Sequence, residues 1–109
     1  MLFGPMTIQD AQEHLWRCAA RAAQVRGLPT SDWYTVEEIY DHLRKNHPET
    51  LKFFETFSTA YLNWAALSYR THEARLQNVC DPATLEDLNV LTKKRDDTRR
   101  ELLQHLGLG

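Results

Sequence analysis

Residues 49–78 read ETLKFFETFSTAYLNWAALSYRTHEARLQN, thirty positions without a glycine or a proline. With no residue that breaks or kinks a helix, the run predicts a single helix on the order of 45 Å long, at about 1.5 Å per residue. Two adjacent stripes are apolar along its first half, Phe53, Phe57, Ala60, Trp64 and Leu67 beside Phe54, Tyr61, Leu62 and Ala65. A helix apolar over that width must be covered by neighbours on two sides. The second half thins to Tyr69, Ala74, Leu76 and Val79. Pro48 precedes the run, and a proline suits a first helical turn because its missing N–H would have no partner there.

Working outward, Asn46-His47-Pro48 ends a shorter helix on the N-terminal side, because proline disfavours helical backbone at the residue before it. Thr35 and Glu38 form a capping box for the start of that second helix, and Val36, Ile39, Tyr40 and Leu43 line one side of it. Further upstream, Thr7 with Asp10 starts a first helix over about residues 8–26, and Gly27 ends it. Ile8, Ala11, Leu15, Cys18, Ala19, Ala22 and Val25 recur at three- and four-residue steps, with Trp16 at the edge of that stripe, placed to cover a seam or an interface. Downstream, Asp81-Pro82 opens a last helix that Leu106-Gly107 closes. Leu85, Leu88 and Leu91 start a seam that Leu102, Leu103 and Leu106 resume. Between them residues 93–101 are polar all round, with Lys93–Asp97 and Asp96–Arg100 at ion-pair spacing, so this waist is expected outside any dry core. The expected fold is all-α: one domain over residues 1–109, a bundle of about four helices with a long central third helix.

Composition agrees with helices. The 109 residues are 42% hydrophobic, with only four Gly and four Pro, too little turn material for a many-stranded sandwich or barrel. Thirteen Lys and Arg against fifteen Asp and Glu give a net charge of -2, so the molecule lacks the basic field of non-specific nucleic-acid binders. The balance is uneven: residues 28–55 carry three basic against six acidic side chains, and residues 56–109 balance seven against seven. Two cysteines far apart in sequence, with no secretory segment, are expected to be reduced and partly buried, in a cytoplasmic protein that makes no membrane span.

Catalytic signatures are missing. A phosphate-cradling loop, a nucleophile elbow and a dinucleotide fingerprint each need glycines that this chain lacks. The carboxylates Glu37 and Glu38, or Asp96 and Asp97, are sequence neighbours that point in different helical directions, which builds no acid–base dyad. His14 with Cys18 and Glu38 with His42 have ligand spacing but supply two groups each, where a metal site needs three or four. The expectation is a non-enzyme with no metal and no cofactor, acting by binding. Two charged clusters then become candidate surfaces: Lys93, Lys94, Arg95, Arg99 and Arg100 for DNA or subunit contact, and Glu37, Glu38, Asp41, Glu49 and Glu55 for a protein partner. Trp16, Trp33, Tyr61, Trp64 and Tyr69 are the aromatic candidates for packing or an interface, and apolar surface on the third and fourth helices is expected to assemble the chain into a homo-oligomer.

Residues 54–108 resemble the small subunits of tailed-phage terminases, helical proteins that recognise viral DNA for packaging. The resemblance is carried by Ala60-Tyr61-Leu62-Asn63-Trp64, by the Pro82-led final helix to Leu103 and by Leu106-Gly107-Leu108, with Trp33 and Pro48-Glu49-Thr50-Leu51 upstream. It implies a ring-like homo-oligomer that binds DNA and a motor subunit, with Lys93, Lys94, Arg95, Arg99 and Arg100 at DNA or subunit contacts. The competing reading is a small inhibitor or adaptor from a mobile element, anti-CRISPR-like in type, whose acidic 28–55 face meets the Lys and Arg of a host protein or nucleoprotein complex. On either reading a buried Trp64 predicts that Trp64→Ala costs roughly 3 to 5 kcal/mol in a denaturant titration.

Overall fold

The computed structural model describes residues 5–29 and 34–109. Four helices follow in order: α1 (Ile8–Val25), α2 (Val36–Asn46), α3 (Pro48–Leu76) and α4 (Pro82–His105), with no strand among the described residues. Their starts are chemically explicit. Thr7 and Asp10 exchange side-chain-to-backbone bonds across α1's first turn, Thr35 and Glu38 do the same for α2, and the Asp81 carboxylate accepts from Ala83 N–H at the head of α4. Each such cap stabilises its helix by about 1 kcal/mol.

Three of the four ends share one device. Gly27 after α1 and Gly107 after α4 take φ of 98° and 76°, the left-handed conformation that glycine adopts without a Cβ penalty. In each case the next residue's N–H folds back five positions, Leu28 to the Ala23 carbonyl and Leu108 to the Leu103 carbonyl. After α3 the same geometry is built on Asn78 (φ 56°), with Val79 N–H bonded to the Ala74 carbonyl. The long helix therefore stops at Leu76, two residues before the end predicted from the absence of Gly and Pro. Asparagine is the residue other than glycine that tolerates this turn best.

The spine α3 is covered on two sides, as its width demands. On one side Ala11, Ala19, Ala22 and Ala23 of α1 are fully buried, and their small side chains let the helices approach closely; α2 adds Ile39 and Leu43. Phe54 lies in the centre, completely buried, with the Tyr40 ring edge-on at 5.9 Å. On the other side α4 runs back along α3, and its backbone approaches no other helix. The buried face of α1 is turned from the predicted stripe: Ala23 is buried, Ile8 is exposed, and Cys18 and Val25 are half-buried, because α2 and α3 flank α1 together. Of the predicted α4 seam only Leu102 and Leu106 are buried; Leu88, Leu91 and Leu103 are half-buried and Leu85 is exposed. The molecule measures 48 × 29 × 19 Å, elongated by the far halves of α3 and α4, which reach beyond α1 and α2 as a two-helix projection.

One polar knot ties the other end. Arg26, at the C-terminus of α1, donates through Nε to Thr50 Oγ1 (2.9 Å) and through Nη2 to the His105 carbonyl oxygen (3.0 Å). Thr50 Oγ1 is also hydrogen-bonded to His105 Nε2 at 2.7 Å, and the direction of that bond follows the tautomer of the ring. His42 Nε2 of α2 donates to the Arg26 carbonyl oxygen (3.1 Å), and Phe53 stacks on the His105 ring at 4.4 Å. Thr50 is 2% exposed, so its removal leaves Arg26 Nε facing no protein acceptor. In urea titrations Thr50→Val is expected to lose about 1 to 2 kcal/mol. Thr56→Val, on an exposed residue whose hydroxyl bonds only its own helix, is expected to stay within about 0.5 kcal/mol of the parent.

Candidate interaction surfaces

The basic cluster of α4 does not form one ridge. At 100° per residue Lys93, Asp97 and Arg100 share the outer face, and Lys94 and Arg99 fall on opposite flanks. Lys93 and Arg100 both pair with Asp97, at 2.9 and 3.1 Å. The predicted Asp96–Arg100 pair is replaced by Arg95–Asp96 at 2.9 Å. Arg95 also lays its guanidinium 4.3 Å above the Trp64 ring, and only 23% of its side chain is exposed. Lys94 and Arg99 enter no ion pair among the described residues. The waist stays outside a dry core, as its polarity predicts, but two of its side chains reach the spine. Thr98 is buried and satisfies its hydroxyl on the Lys94 carbonyl (2.8 Å), and Arg95 covers the spine with its flat cation.

The acidic candidates divide as well. Glu38 is used in the α2 cap and Asp41 pairs with Arg44 at 2.6 Å. Glu49 lies at the other end, beside His47 and the Arg26 knot. Glu37, Asp41 and Glu55 gather around Tyr40: the first two share a groove with it, and the Glu55 carboxylate is close enough to add to the effect of burial in raising the phenol's pKa. That groove continues into a second of about 390 Å³ between α1, α2 and α3, where Trp16, Val36, Tyr40 and Leu62 meet Glu13. Trp16 is 42% exposed and lines a third groove on its other side with Tyr34 and Glu13. The result is a surface with an aromatic floor and a rim of carboxylates interrupted by Arg17 and Arg44, in which Glu13 and Tyr40 were not singled out by sequence. The missing signal was the juxtaposition of α1 with α2, which no spacing within one helix reveals.

The other aromatics separate into core and surface. Tyr61 is buried, stacked on His14 at 5.0 Å and donating its hydroxyl to Met6 Sδ at 3.4 Å. Trp64 is half-buried beneath Arg95, and Tyr69 is 49% exposed. Trp33, with Asp32 beside it, lies outside the described residues.

Cys18 Sγ stands 3.6 Å from His14 Nε2, but burial pushes its thiol pKa up against the smaller opposing pull of Arg99, the reverse of an activated nucleophile. Among the described residues no three His, Cys, Asp or Glu side chains converge as a metal site would require. Among the described residues no helix is long and apolar enough to cross a membrane. The chain matches no protein-family profile, no curated protein and no solved structure.

Because Trp64 is only half-buried, Trp64→Ala is expected to cost about 2 kcal/mol rather than the full value for a buried indole, and a double-mutant cycle with Arg95→Ala should return a coupling of about 1 kcal/mol. The alkaline limb of the stability profile follows from the raised groups. Burial raises Cys18, Tyr40 and Tyr61, so each binds its proton more tightly folded than unfolded. Their contribution is complete below the ordinary thiol and phenol ranges and is lost as pH rises through the raised folded values. Chemical denaturation at increasing alkaline pH should show this decline, and Tyr40→Phe with Tyr61→Phe should flatten it.

Proposed function

We propose that this chain is a non-catalytic helical binding protein, an adaptor or inhibitor whose working surface is the aromatic floor and carboxylate rim of α1, α2 and α3. The observation that carries this reading is the placement of Glu13 and Glu37, neither in an ion pair among the described residues, with the Arg44-paired Asp41, along grooves floored by the exposed Trp16 with Val36 and Tyr40. An exposed tryptophan in a concave site is the usual anchor of a protein interface, and carboxylates around it select a partner rich in Lys and Arg. The occupant is therefore a basic, partly apolar segment of another protein, including one whose Lys and Arg otherwise hold nucleic-acid phosphates.

The DNA-packaging reading implied by the terminase resemblance rests on Lys94 and Arg99, the two cations of the α4 cluster without an acidic partner, and on Arg70 of the projection. Their dispersal around the helix pair favours the protein-binding reading over it.

One set of titrations tests both. In calorimetric titrations a helix-forming peptide with Leu and Phe on one face and Lys and Arg on its flanks is expected to bind, whereas a Glu-substituted version of the same peptide is not. Trp16→Ala and the pair Glu37→Gln with Asp41→Asn are each expected to weaken that binding by about tenfold or more. Failure of the basic peptide to bind, or binding indifferent to both variants, removes the proposal. Salt-sensitive binding of duplex DNA, lost on Lys94→Ala with Arg99→Ala, replaces it with the packaging reading.

A further inference from the structure

The projecting halves of α3 and α4 form a pair of helices short of a core. No residue of α4 before Thr98 is buried, and beyond Ala65 α3 buries only Leu67 and Thr71. Large apolar side chains stand in solvent along this pair: Leu76 is 70% exposed, Val79 69% and Val90 58%. Two helices cover each other along one seam and leave their flanks open, whereas four enclose an interior.

One flank of the projection carries a groove of about 500 Å³. Its apolar lining comes from Ala66 and Leu67 of α3 and from Val90 and Leu91 of α4. Its polar lining is Asn63 with a cation on the α3 side, Arg70, and an anion on the α4 side, Asp87. Arg70 and Asp87 are not bonded to each other, and neither takes part in an ion pair among the described residues. By contrast, Arg75 on the neighbouring face of α3 is fully engaged with its own helix, donating to the Ser68 carbonyl at 2.8 Å and to Thr71 Oγ1 at 3.0 Å.

We infer that this groove is a self-complementary interface for a second copy of the chain, joined about a two-fold axis. The charge pattern names that occupant. In a two-fold contact residue i meets residue j and j meets i, so one patch must carry both members of each pair. A groove with one unpaired Arg and one unpaired Asp on opposite walls meets that condition, with Arg70 of each copy facing Asp87 of the other. The exposed Val90 then lies against the partner's apolar lining, and the two projections close into a four-helix bundle. None of the lining residues belongs to the acidic and aromatic grooves of α1 and α2, so the dimer and the partner-binding proposal stand or fall separately.

The test is the molar mass by light scattering through a dilution series, for the parent chain and for Arg70→Glu, Asp87→Arg, the two together, and Val90→Lys. Far-ultraviolet circular dichroism and melting establish that each variant, changed at the surface, remains folded. The parent is expected to show a concentration-dependent mass of twice 12.7 kDa. Each single reversal sets like charges against each other at both contacts and is expected to raise the dimer dissociation constant about tenfold or more, and the double reversal to restore it. Val90→Lys is expected to leave a monomer. A folded parent that remains monomeric at every concentration, a ring-sized mass, or a dimer unmoved by either single reversal overturns the inference.

Discussion

The Arg26 guanidinium, held between Thr50 and the last carbonyl of α4, is the constraint on which the arrangement of the four helices depends. It belongs to the end of α1 yet bonds the start of α3 and the end of α4, and its own carbonyl receives the His42 ring of α2. Helix C-termini leave carbonyls without partners, and a cation placed there satisfies both the hydrogen bond and the dipole. Apolar packing along α3 is non-directional and tolerates sliding, whereas this set of bonds is met at one register of α1 and α4 on the spine. The knot therefore converts a sticky bundle into a specific one.

From that anchored end the packing loosens along the molecule. Near the knot α3 is enclosed by all three other helices, with Phe54 and Phe57 sealed in the middle. At the waist α4 meets the spine through Thr98 and the Arg95–Trp64 stack, contacts that keep a polar stretch of sequence in place without demanding a dry interior. Beyond the waist only two helices remain, and their apolar side chains face water. The gradient separates the molecule into a self-sufficient body, which carries the acidic and aromatic grooves, and a projection whose burial is unfinished.

The charged residues show how a net charge of -2 conceals local design. On α4 most of the basic side chains are neutralised within one or two turns, so the cluster that dominates the sequence contributes little field. Around Tyr40 the carboxylates are fewer but are brought together from α2 and α3, with Glu13 of α1 close by. Proximity across helices, more than the number of charges in a run, sets where a partner of opposite sign is attracted.

The sequence alone determined what depends on neighbours along the chain. Capping pairs such as Thr7–Asp10 and Thr35–Glu38, the stops at Gly27 and Gly107 and the uninterrupted run after Pro48 are bonds and backbone preferences settled within a few residues, so the four helices and the all-α class were legible. The two-sided covering of the spine was legible too, because it follows from the width of an apolar stripe. Only the tertiary structure decided what depends on residues far apart. The sharing of Arg26 between Thr50 and His105 joins positions 24 and 79 apart, and the grouping of Trp16 with Tyr40 and Glu37 requires α1 and α2 to lie side by side. The same holds for Arg95, whose place in a charged run gives no hint of the indole beneath it. Periodicity states which face of a helix is apolar; which partner meets that face, and which charges the meeting brings together, is fixed by the packing of whole helices.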